Sequence, residues 1–416
     1  MKFIKDLKIV CVAGWGKTGI SLVKMLLNLD KKIKVTETRK RNCFCPQLIK
    51  DFESKGVEFE FGGHSEKFIK LSELIILSPG IDLSKSELNN IAKKNHIAYL
   101  GELEFASYFT NAKIIAITGT NGKTTTAYLT YQLLKQKNKK VYLGGNIGRP
   151  FSEFVLDTQE KDIVVLEVSS FQLETIIKFR PYVAVLLNVE PDHIDRHKNF
   201  GNYLKIKLKI FKNQQKNDWM VINKAINLQE ISLSQINSKI IYFKDELSDQ
   251  NFSAAYRIGK IFGVTKADCH LLFSQYKKLP HRQRLVKEIN KIRFINDSKS
   301  TNPSSTSFAL KSIKSPIILI AGGKDKGFYY QGLRLYARKI RQVNLIGQAA
   351  DKIKNELGNK IKCQKFNSLQ EAVLSAYKQA KAFDTILLSP MCSSFDMFKN
   401  YKERGRKFIE IVKNIS

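Results

Sequence analysis

The sequence predicts an α/β protein built from three successive blocks. Short apolar runs alternate with helical patterns along nearly the whole chain, which is typical of parallel sheets with crossover helices. The length of 416 residues exceeds one ordinary core, and the 43% of apolar residues are enough to fill several interiors. Leu279-Pro280 marks the end of the second block, because the residue before a proline disfavours helix.

Apolar runs and helical spacing give the order of the elements. Strands are predicted at 8–12, 32–35 and 74–77 in the first block, at 113–118, 162–167, 183–188 and 219–222 in the second, and at 292–295, 316–321, 343–346 and 385–388 in the third. Helices are predicted at 20–29, 124–136, 304–311, 369–382 and 397–413. Each block therefore combines strands with at least one helix, as βαβ units do.

The chain is strongly basic. Its 70 Lys and Arg against 38 Asp and Glu give a formal net charge of +32, so nucleic acid has to be considered as a partner. The basic residues are spread over the chain without a recognised nucleic-acid motif, so we interpret them as solvated surface that also attracts small anions. Six scattered cysteines without a CxxC pair, and no apolar run of 18 residues, favour a cytoplasmic protein without a membrane segment.

A glycine-rich loop follows the strand predicted at 113–118. It reads Gly119-Thr120-Asn121-Gly122-Lys123-Thr124-Thr125 and leads into a helix. In such loops the backbone N–H groups surround phosphate oxygens, the lysine reaches the β- and γ-phosphates, and the hydroxyl after it binds Mg²⁺. The usual first glycine, five residues before Gly122, is Ile117 here, but the strand–loop–helix context is complete. The loop predicts ATP binding.

A second glycine pattern lies between the first strand and the first helix. Gly14-Trp15-Gly16-Lys17-Thr18-Gly19 is a complete GxGxxG, and Glu37 at the end of the next strand stands where an acid binds the ribose of NAD. Taken alone, the pattern predicts an NAD-dependent oxidoreductase. The same turn also binds the pyrophosphate of other ligands at a helix N-terminus, so both interpretations are open at this point.

Polar side chains follow two strands of the second block. Glu167 ends one predicted strand, and His193 lies in a polar cluster after the next. Because ligands bind at the carboxyl ends of strands in open α/β sheets, both residues are candidates for binding Mg²⁺. The alternative for Glu167 is a carboxylate that only caps the helix after it.

Four motifs together resemble the Mur ligase family. They are the phosphate loop, Glu167-Val-Ser-Ser-Phe-Gln, Asp192-His193-Ile194-Asp195-Arg196 and Leu279-Pro280-His281-Arg282, and the likeness covers essentially all 416 residues. Members of this family form amide bonds during assembly of the peptidoglycan peptide. The resemblance implies a Rossmann-like domain for a UDP-linked substrate at 1–109, a P-loop ATPase domain with a parallel sheet at 110–282, and a Rossmann-like amino-acid-binding domain at 283–416.

Motifs of the third block narrow the expected substrate. The segments 296–302 (Asn-Asp-Ser-Lys-Ser-Thr-Asn) and 389–396 (Ser-Pro-Met-Cys-Ser-Ser-Phe-Asp) are similar to members that add D-glutamate to UDP-N-acetylmuramoyl-L-alanine through an acyl phosphate. The resemblance therefore implies these two small-molecule substrates, ATP with two Mg²⁺ ions, and a cytoplasmic setting. We expect a monomer with no specific nucleic acid and no membrane partner. A related ligase for another amino acid and the NAD-dependent oxidoreductase remain alternatives.

The resemblance also implies roles for individual residues. The implied catalytic residues are Lys123, His193 and Lys207. The implied ATP-binding residues are Gly119, Thr120, Asn121, Gly122, Lys123, Thr124, Thr125, Asn251, Arg282 and Asp297. The implied ligands of the two Mg²⁺ ions are Thr124, Glu167, His193 and Lys207, and the lysine is expected to bind as a carbamate, which turns it into an anion.

The two substrates of the ligation have their own implied residues. The UDP-linked substrate is expected at Gly14, Gly16, Thr18, Gly19, Thr38, Arg39, Ser78, Gly80 and Asn146. Glutamate is expected at Lys299, Thr301, Lys326, Ser394, Phe395 and Tyr401. One departure concerns the adenine: relatives have Asn-x-x-Asn where this chain has Asn251-Phe-Ser-Ala254, so only the first amide is kept.

Overall fold

The computed structural model describes residues 4, 6–137, 139–226, 237–244, 247 and 249–415. They form two compact units, one of Met1–Val189 with Gly201–Ser274 and one of Glu190–Phe200 with Gln275–Ser416. The first unit holds two sheets and the second holds one, which confirms the three-domain α/β architecture. No helix within the described ranges is both long and apolar enough to cross a membrane.

The first sheet has five parallel strands in the order β3-β2-β1-β4-β5. The strands are β1 (Ile9–Ala13), β2 (Lys32–Glu37), β3 (Glu58–Phe61), β4 (Leu74–Leu77) and β5 (Ala98–Gly101). The helices are α1 (Lys17–Leu27), α2 (Pro46–Glu53), α3 (Glu66–Ile69), α4 (Glu87–Lys94) and α5 (Glu102–Ser107). Helix α1 begins directly after Gly16, which places the glycine turn at its N-terminus.

The second sheet has six parallel strands in the order β11-β10-β9-β6-β8-β7. The strands are β6 (Lys113–Thr118), β7 (Val141–Gly145), β8 (Ile163–Glu167), β9 (Val183–Leu186), β10 (Trp219–Asn223) and β11 (Lys239–Phe243). The helices that follow in the chain are α6 (Lys123–Gln136), α7 (Ser170–Glu174), α8 (Ile194–His197), α9 (Phe200–Leu208), α10 (Gln250–Ile261) and α11 (Lys266–Ser274). The phosphate loop therefore joins the central strand β6 to α6.

The third sheet has six strands in the order β12-β13-β17-β14-β15-β16. The strands are β12 (Arg284–Ile289), β13 (Ile292–Asn296), β14 (Ile317–Gly322), β15 (Ile340–Ile346), β16 (Cys363–Lys365) and β17 (Thr385–Leu388). The helices are α12 (Pro303–Ser312), α13 (Ala350–Leu357), α14 (Leu369–Gln379) and α15 (Tyr401–Lys413). Helix α15 begins four residues later than predicted, because Asn400 caps it by accepting hydrogen bonds from the N–H groups of Lys402 and Glu403.

The expectation of a fully parallel sheet is wrong at one edge of the third sheet. Strand β12 pairs antiparallel with β13. The two residues between them, Asn290 and Lys291, have φ angles of 50° and 63°, as a type I′ hairpin turn requires. A two-residue turn cannot make the crossover that parallel strands need, so the sheet is mixed.

The cores are built from the inner strands. Strands β4, β8, β9, β14 and β17 are buried along their whole length, as expected for strands covered on both faces. In the first unit a single apolar cluster includes residues from both sheets. Trp15 packs its ring edge-on against Phe52 and Phe59, with centroids at 5.4 and 4.9 Å, and so fixes the glycine turn on the first core.

A buried carboxylate joins the two sheets of the first unit. Glu104, at the end of the first domain, accepts hydrogen bonds from the backbone N–H groups of Ile177, Lys178 and Phe179 in the second, at 2.9, 2.8 and 2.9 Å. The hydroxyl of Tyr108 donates a fourth, at 2.6 Å. Burial and this carboxylate raise the pKa of Tyr108. The interaction holds the N-terminal domain against the central one.

Candidate active site

Two lysines contact the backbone of the phosphate loop. The Nζ of Lys123 donates to the carbonyl oxygens of Gly119 and Thr120, at 2.7 and 2.8 Å. Lys207 is 1% exposed, and its Nζ donates to the same Gly119 carbonyl at 2.9 Å while lying 4.6 Å from the ring centre of Tyr203. Both ammonium groups therefore lie at the loop that the sequence assigns to phosphate.

Glu167 connects the phosphate loop to Asn146, which follows β7. One carboxylate oxygen accepts the hydroxyl of Thr124 at 2.6 Å, and the other accepts the side-chain amide of Asn146 at 2.8 Å. The carboxylate is 3% exposed and lies at the end of β8, as predicted. It therefore does more than cap the next helix, whose N-cap is Ser169. Thr125 lies half-buried in the first turn of α6.

The second glycine of the loop is required by its surroundings. Gly122 has a φ of 85°, and a Cβ added there would lie 2.2 Å from Oδ1 of Asn251. The same oxygen accepts the hydroxyl of Thr126 at 3.2 Å, so Asn251 is held against the start of α6. Ala254, one helical turn further along α10, is fully buried. The structure thus brings the surviving amide of the Asn-x-x-Asn pattern to the loop.

A residue that the sequence analysis did not assign to the site also holds the loop. The Asn188 side chain accepts the N–H of Asn121 at 2.8 Å and donates to the Asn121 carbonyl at 3.1 Å. Its own carbonyl accepts the N–H of Thr120 at 3.0 Å. Its position just after β9, at the carboxyl edge of the sheet, was the available signal.

A cavity of about 970 Å³ lies within the first unit. Eight of the nine residues expected to contact the UDP-linked substrate line it: Gly14, Gly16, Thr18, Thr38, Arg39, Ser78, Gly80 and Asn146. The ninth, Gly19, packs beneath the turn, where an added Cβ would meet the Gly14 carbonyl at 1.9 Å. The lining comes from both sheets of the unit, because Asn146 follows β7 and the others belong to the first domain.

Glu37 organises one end of this cavity. Its carboxylate accepts the N–H of Trp15 at 2.8 Å and the N–H of Arg39 at 2.9 Å, and it forms a salt bridge with the Arg39 guanidinium at 2.9 Å. Burial alone would raise the pKa of Glu37, but the bonds from Arg39 and Trp15 outweigh it and lower the pKa to about 2. Arg39 in turn lies 4.5 Å over the ring of Phe44.

Further cavity residues were missed from the sequence. Lys17 donates to the carbonyl of Gly148 across the two domains of the first unit. His64 lines the cavity and bonds through Nδ1 to the Thr36 hydroxyl at 2.7 Å. Burial lowers the pKa of His64. Lys17 lies within the GxGxxG at a position where the pattern specifies no residue type, and His64 lies outside the pattern, so only the fold shows that both line the cavity.

His193 belongs to the second unit. It has a left-handed φ of 53°, and its N–H donates to the Asp192 side chain at 2.9 Å. The other oxygen of Asp192 accepts the side-chain amide of Asn302 at 3.1 Å. The Asn302 oxygen caps α12 through the N–H of Ser305. The segment that carries His193 is therefore bound to the C-terminal domain.

Asp297 is buried at the end of β13. Its carboxylate accepts the hydroxyls of Ser300 and Ser389, at 2.6 and 2.9 Å, and the N–H of Gln283 at 3.1 Å. Burial raises its pKa to about 6, against the effect of these bonds and of the nearby positive charge of Arg282. Arg282, the other expected nucleotide-side residue of this unit, is half-buried.

The residues expected to bind glutamate follow the carboxyl ends of three strands of the third sheet or begin the helix after them. Lys299 and Thr301 follow β13, Lys326 follows β14, Ser394 and Phe395 follow β17, and Tyr401 begins α15. The Nζ of Lys299 lies 4.4 Å from the ring centre of Tyr401. Ser394 is 3% exposed, whereas Phe395 is 69% exposed.

Family models match all three domains in chain order. Their descriptions are "Mur ligase MurD-like, N-terminal domain" for residues 8–101, "Mur ligase middle domain" for 117–279 and "Mur ligase, glutamate ligase domain" for 281–392. The chain belongs to the Mur ligase family. The GxGxxG turn lies in the matched N-terminal domain of a Mur ligase, so the family replaces the oxidoreductase interpretation.

Relatives of this Mur ligase match it over nearly the full length. The UDP-N-acetylmuramoylalanine–D-glutamate ligase of Caldanaerobacter subterraneus subsp. tengcongensis is 37% identical over 445 residues, covering 98% of each chain. The enzyme of the same name from Geotalea daltonii is 34% identical over 449 residues, covering 99% of this chain and 98% of its own.

Solved structures of the family share the fold. The MurF ligase of Thermotoga maritima in complex with ADP has a TM-score of 0.61 at 16% identity, covering 99% of this chain and 98% of its own. The UDP-N-acetylmuramate-alanine ligase of Thermotoga maritima has a TM-score of 0.60 at 16% identity, covering 99% and 100%.

Proposed function

We propose that this Mur ligase joins D-glutamate to UDP-N-acetylmuramoyl-L-alanine at the expense of ATP, in cytoplasmic peptidoglycan precursor synthesis. One observation carries the proposal: Glu167 bonds Thr124 of the phosphate loop through one oxygen and Asn146 of the cavity through the other. The phosphate site and the cavity are therefore neighbours within one unit. The names of the full-length relatives support the choice of substrates.

The proposed reaction has two steps. A carboxylate oxygen of the alanine attacks the γ-phosphorus of ATP, the bond to the bridging oxygen breaks, and ADP leaves with that electron pair. The amine of D-glutamate then attacks the acyl carbon, loses a proton, and displaces phosphate as the amide forms. Lys123 exchanges its bonds to the Gly119 and Thr120 carbonyls for phosphate oxygens and neutralises the charge that develops there.

Magnesium fits the donors at the phosphate loop. Mg²⁺ prefers oxygen ligands and keeps several waters, and the Thr124 hydroxyl and Glu167 carboxylate lie 2.6 Å apart. Over the described part of the chain, no three His, Cys, Asp or Glu side chains form a metal cluster, so phosphate oxygens and water would complete the ligand set. When bound, the ion neutralises charge on the transferred phosphoryl group.

Lys207 is proposed to be carbamoylated and to hold a second Mg²⁺. The reaction joins the neutral amine to CO₂ with loss of a proton, and it converts a buried cation beside Gly119 into an anion with oxygen donors. Incubation with ¹³C-bicarbonate should give a carbamate carbon signal in the wild type that is absent in Lys207→Met. An identical spectrum for the two proteins would contradict the proposal.

The remaining assignments are proposals of the same kind. The domain boundaries lie at 109/110 and 282/283. His193 is a metal ligand. The loops of the third sheet bind glutamate, and Lys326 binds one of its carboxylates as a point charge. The partners are small molecules, and the enzyme works as a monomer.

Phosphate release from Mg-ATP with UDP-N-acetylmuramoyl-L-alanine tests the proposal. We expect release to depend on D-glutamate, and the product to gain the mass of one glutamyl residue. L-glutamate, L-alanine and a diamino acid, each added alone, are the controls. Release driven by another of these amino acids would keep the ligase chemistry and refute the choice of substrate, whereas no release with any of them would refute the ligase activity itself.

A further inference from the structure

A buried arginine lies at the centre of the third domain. Arg404 is 0% exposed, and its guanidinium donates hydrogen bonds from all three nitrogens. Nε donates to Oγ of Ser298 at 3.1 Å, and Nη2 donates to the carbonyl of Ser298 at 2.9 Å. The carbonyl of Cys392 accepts from Nη1 and Nη2 at 3.2 and 3.3 Å, and that of Ser393 accepts from Nη1 at 3.4 Å.

These acceptors are uncharged, which is unusual for a buried arginine. Among the described residues, no carboxylate lies within salt-bridge distance of Arg404. The Asp396 carboxylate raises the pKa of Arg404 through its charge alone, and its Oδ2 accepts the N–H of Gln348 at 2.9 Å. Carbonyl groups satisfy the hydrogen bonds of a guanidinium but leave its charge uncompensated. Burial lowers the pKa of Arg404 to about 10, so it stays charged at neutral pH.

The three anchored segments are those that carry the glutamate site. Ser298 directly precedes Lys299, Ser393 directly precedes Ser394, and Arg404 lies one helical turn after Tyr401. The hydroxyl of Ser298 also donates to the Tyr401 carbonyl, at 2.8 Å.

The loop with Lys326 is tied to the same anchor. The N–H of Lys324 donates to the carbonyl of Ser393 at 3.0 Å. A Cβ added to Gly323 would lie 2.2 Å from that carbonyl and 3.3 Å from the Arg404 guanidinium. Four chain segments therefore meet around one guanidinium.

We infer that Arg404 is a positioning and specificity-determining residue. It aligns the loops of the glutamate site and adds a positive charge that forms no salt bridge with a described side chain and that the dicarboxylate substrate helps to balance. This inference rests on the proposed function. A binding site that already holds an uncompensated cation favours a substrate with two carboxylates over one with a single carboxylate. Arg404 acts through the loops and through its field, without touching the substrate.

The test uses two competitive inhibitors of D-glutamate. Glutarate has two carboxylates, and its monoamide has the same shape with one. In Arg404→Met we expect the inhibition constant of glutarate to rise about tenfold and that of the monoamide to rise less than about threefold, with the KM for ATP unchanged. Arg406→Met, which removes an exposed arginine of the same helix, is the matched control and should leave both constants unchanged.

Two further variants separate charge from anchoring. Arg404→Lys keeps the charge, so the preference for glutarate over the monoamide should stay within about twofold of wild type even though the KM for D-glutamate rises. Ser298→Ala removes one acceptor and keeps the charge, so it should raise that KM about threefold and leave the preference intact. If Arg404→Met fails to fold, as judged by its thermal unfolding, these two variants still test the positioning role through the KM for D-glutamate. A preference for glutarate that changes by more than about twofold in either of them would contradict the link between charge and preference.

The outcomes distinguish this inference from the proposed function. Absence of D-glutamate-dependent phosphate release by the wild type would refute the proposed function. Wild-type activity combined with equal changes for both inhibitors in Arg404→Met would show a purely structural arginine and overturn the inference alone. An unchanged KM for D-glutamate in both Arg404→Lys and Ser298→Ala would overturn the positioning role.

Discussion

Removal of the Glu104 charge tests how the first two domains are held together. The carboxylate accepts four hydrogen bonds, three from backbone N–H groups and one from Tyr108. In Glu104→Gln an NH2 group replaces one of the two carboxylate oxygens. It fits best in place of the oxygen that accepts from Lys178 and Tyr108, because the tyrosine hydroxyl can turn and accept a hydrogen bond from the NH2 group. The bond from the Lys178 N–H is then lost. Four bonds to a charged group, at about 1.5 kcal/mol each, are then replaced by three neutral ones at about 1 kcal/mol. We expect a loss of about 3 kcal/mol in the free energy of unfolding.

Tryptophan fluorescence during urea unfolding measures this loss directly. Trp15 and Trp219 lie in the first unit, one in each of the domains that Glu104 joins. Tyr108→Phe is the matched control, since it removes one of the four bonds and should cost about 1.5 kcal/mol. A loss of less than about 1 kcal/mol in Glu104→Gln, or a loss no larger than in Tyr108→Phe, would mean that the charge contributes nothing to the attachment of the two domains.

Three other predictions concern single side chains. Lys123→Ala should lower D-glutamate-dependent phosphate release by about a thousandfold, and full activity would exclude its role at the phosphate. Burial raises the pKa of Asp297 to about 6, so its ionised form destabilises the fold above that pH, and protonation removes the penalty as the pH falls to about 4. The wild type should therefore gain about 2.5 kcal/mol of stability from this group between pH 8 and 4, and Asp297→Asn should lack this gain. Urea unfolding followed by circular dichroism measures both proteins, and the same pH dependence in the two would contradict the prediction. Glu37→Gln, which weakens the hold on Arg39, should raise the KM for the UDP-linked substrate about tenfold and leave kcat within about twofold, and a fall in kcat alone would count against a binding role.

The strands that the sequence did not predict share one property: all six are edge strands. The eleven predicted strands are all present, with ends shifted by at most three residues, and they are the inner strands of the three sheets. The missed ones are β3, β5, β7, β11, β12 and β16, two at the edges of each sheet. Most inner strands, such as β4 (Leu74–Leu77), are buried along their length and form continuous apolar runs, whereas an edge strand such as Glu58–Phe61 alternates with charge.

The parts of the site that the sequence predicted are likewise those whose residues form a local pattern. The phosphate loop could be recognised because its residues are contiguous, so the local pattern of glycines, Lys123 and Thr124 contains the whole arrangement. Contacts between distant segments could not be recognised in this way. Neither the approach of Asn251 to Gly122 nor the contacts of Arg404 with the loops leave a trace in local spacing, since each depends on how helices pack on a sheet.

The attachment of residues 190–200 to the C-terminal unit limits how this protein can be divided. The chain passes between the two units three times, at 189/190, 200/201 and 274/275, so no single cut separates them. A fragment that starts at residue 275 lacks Asp192, the acceptor for the buried side chain of Asn302. Studies of the isolated C-terminal domain would need the 190–200 peptide in trans or a linker that carries it.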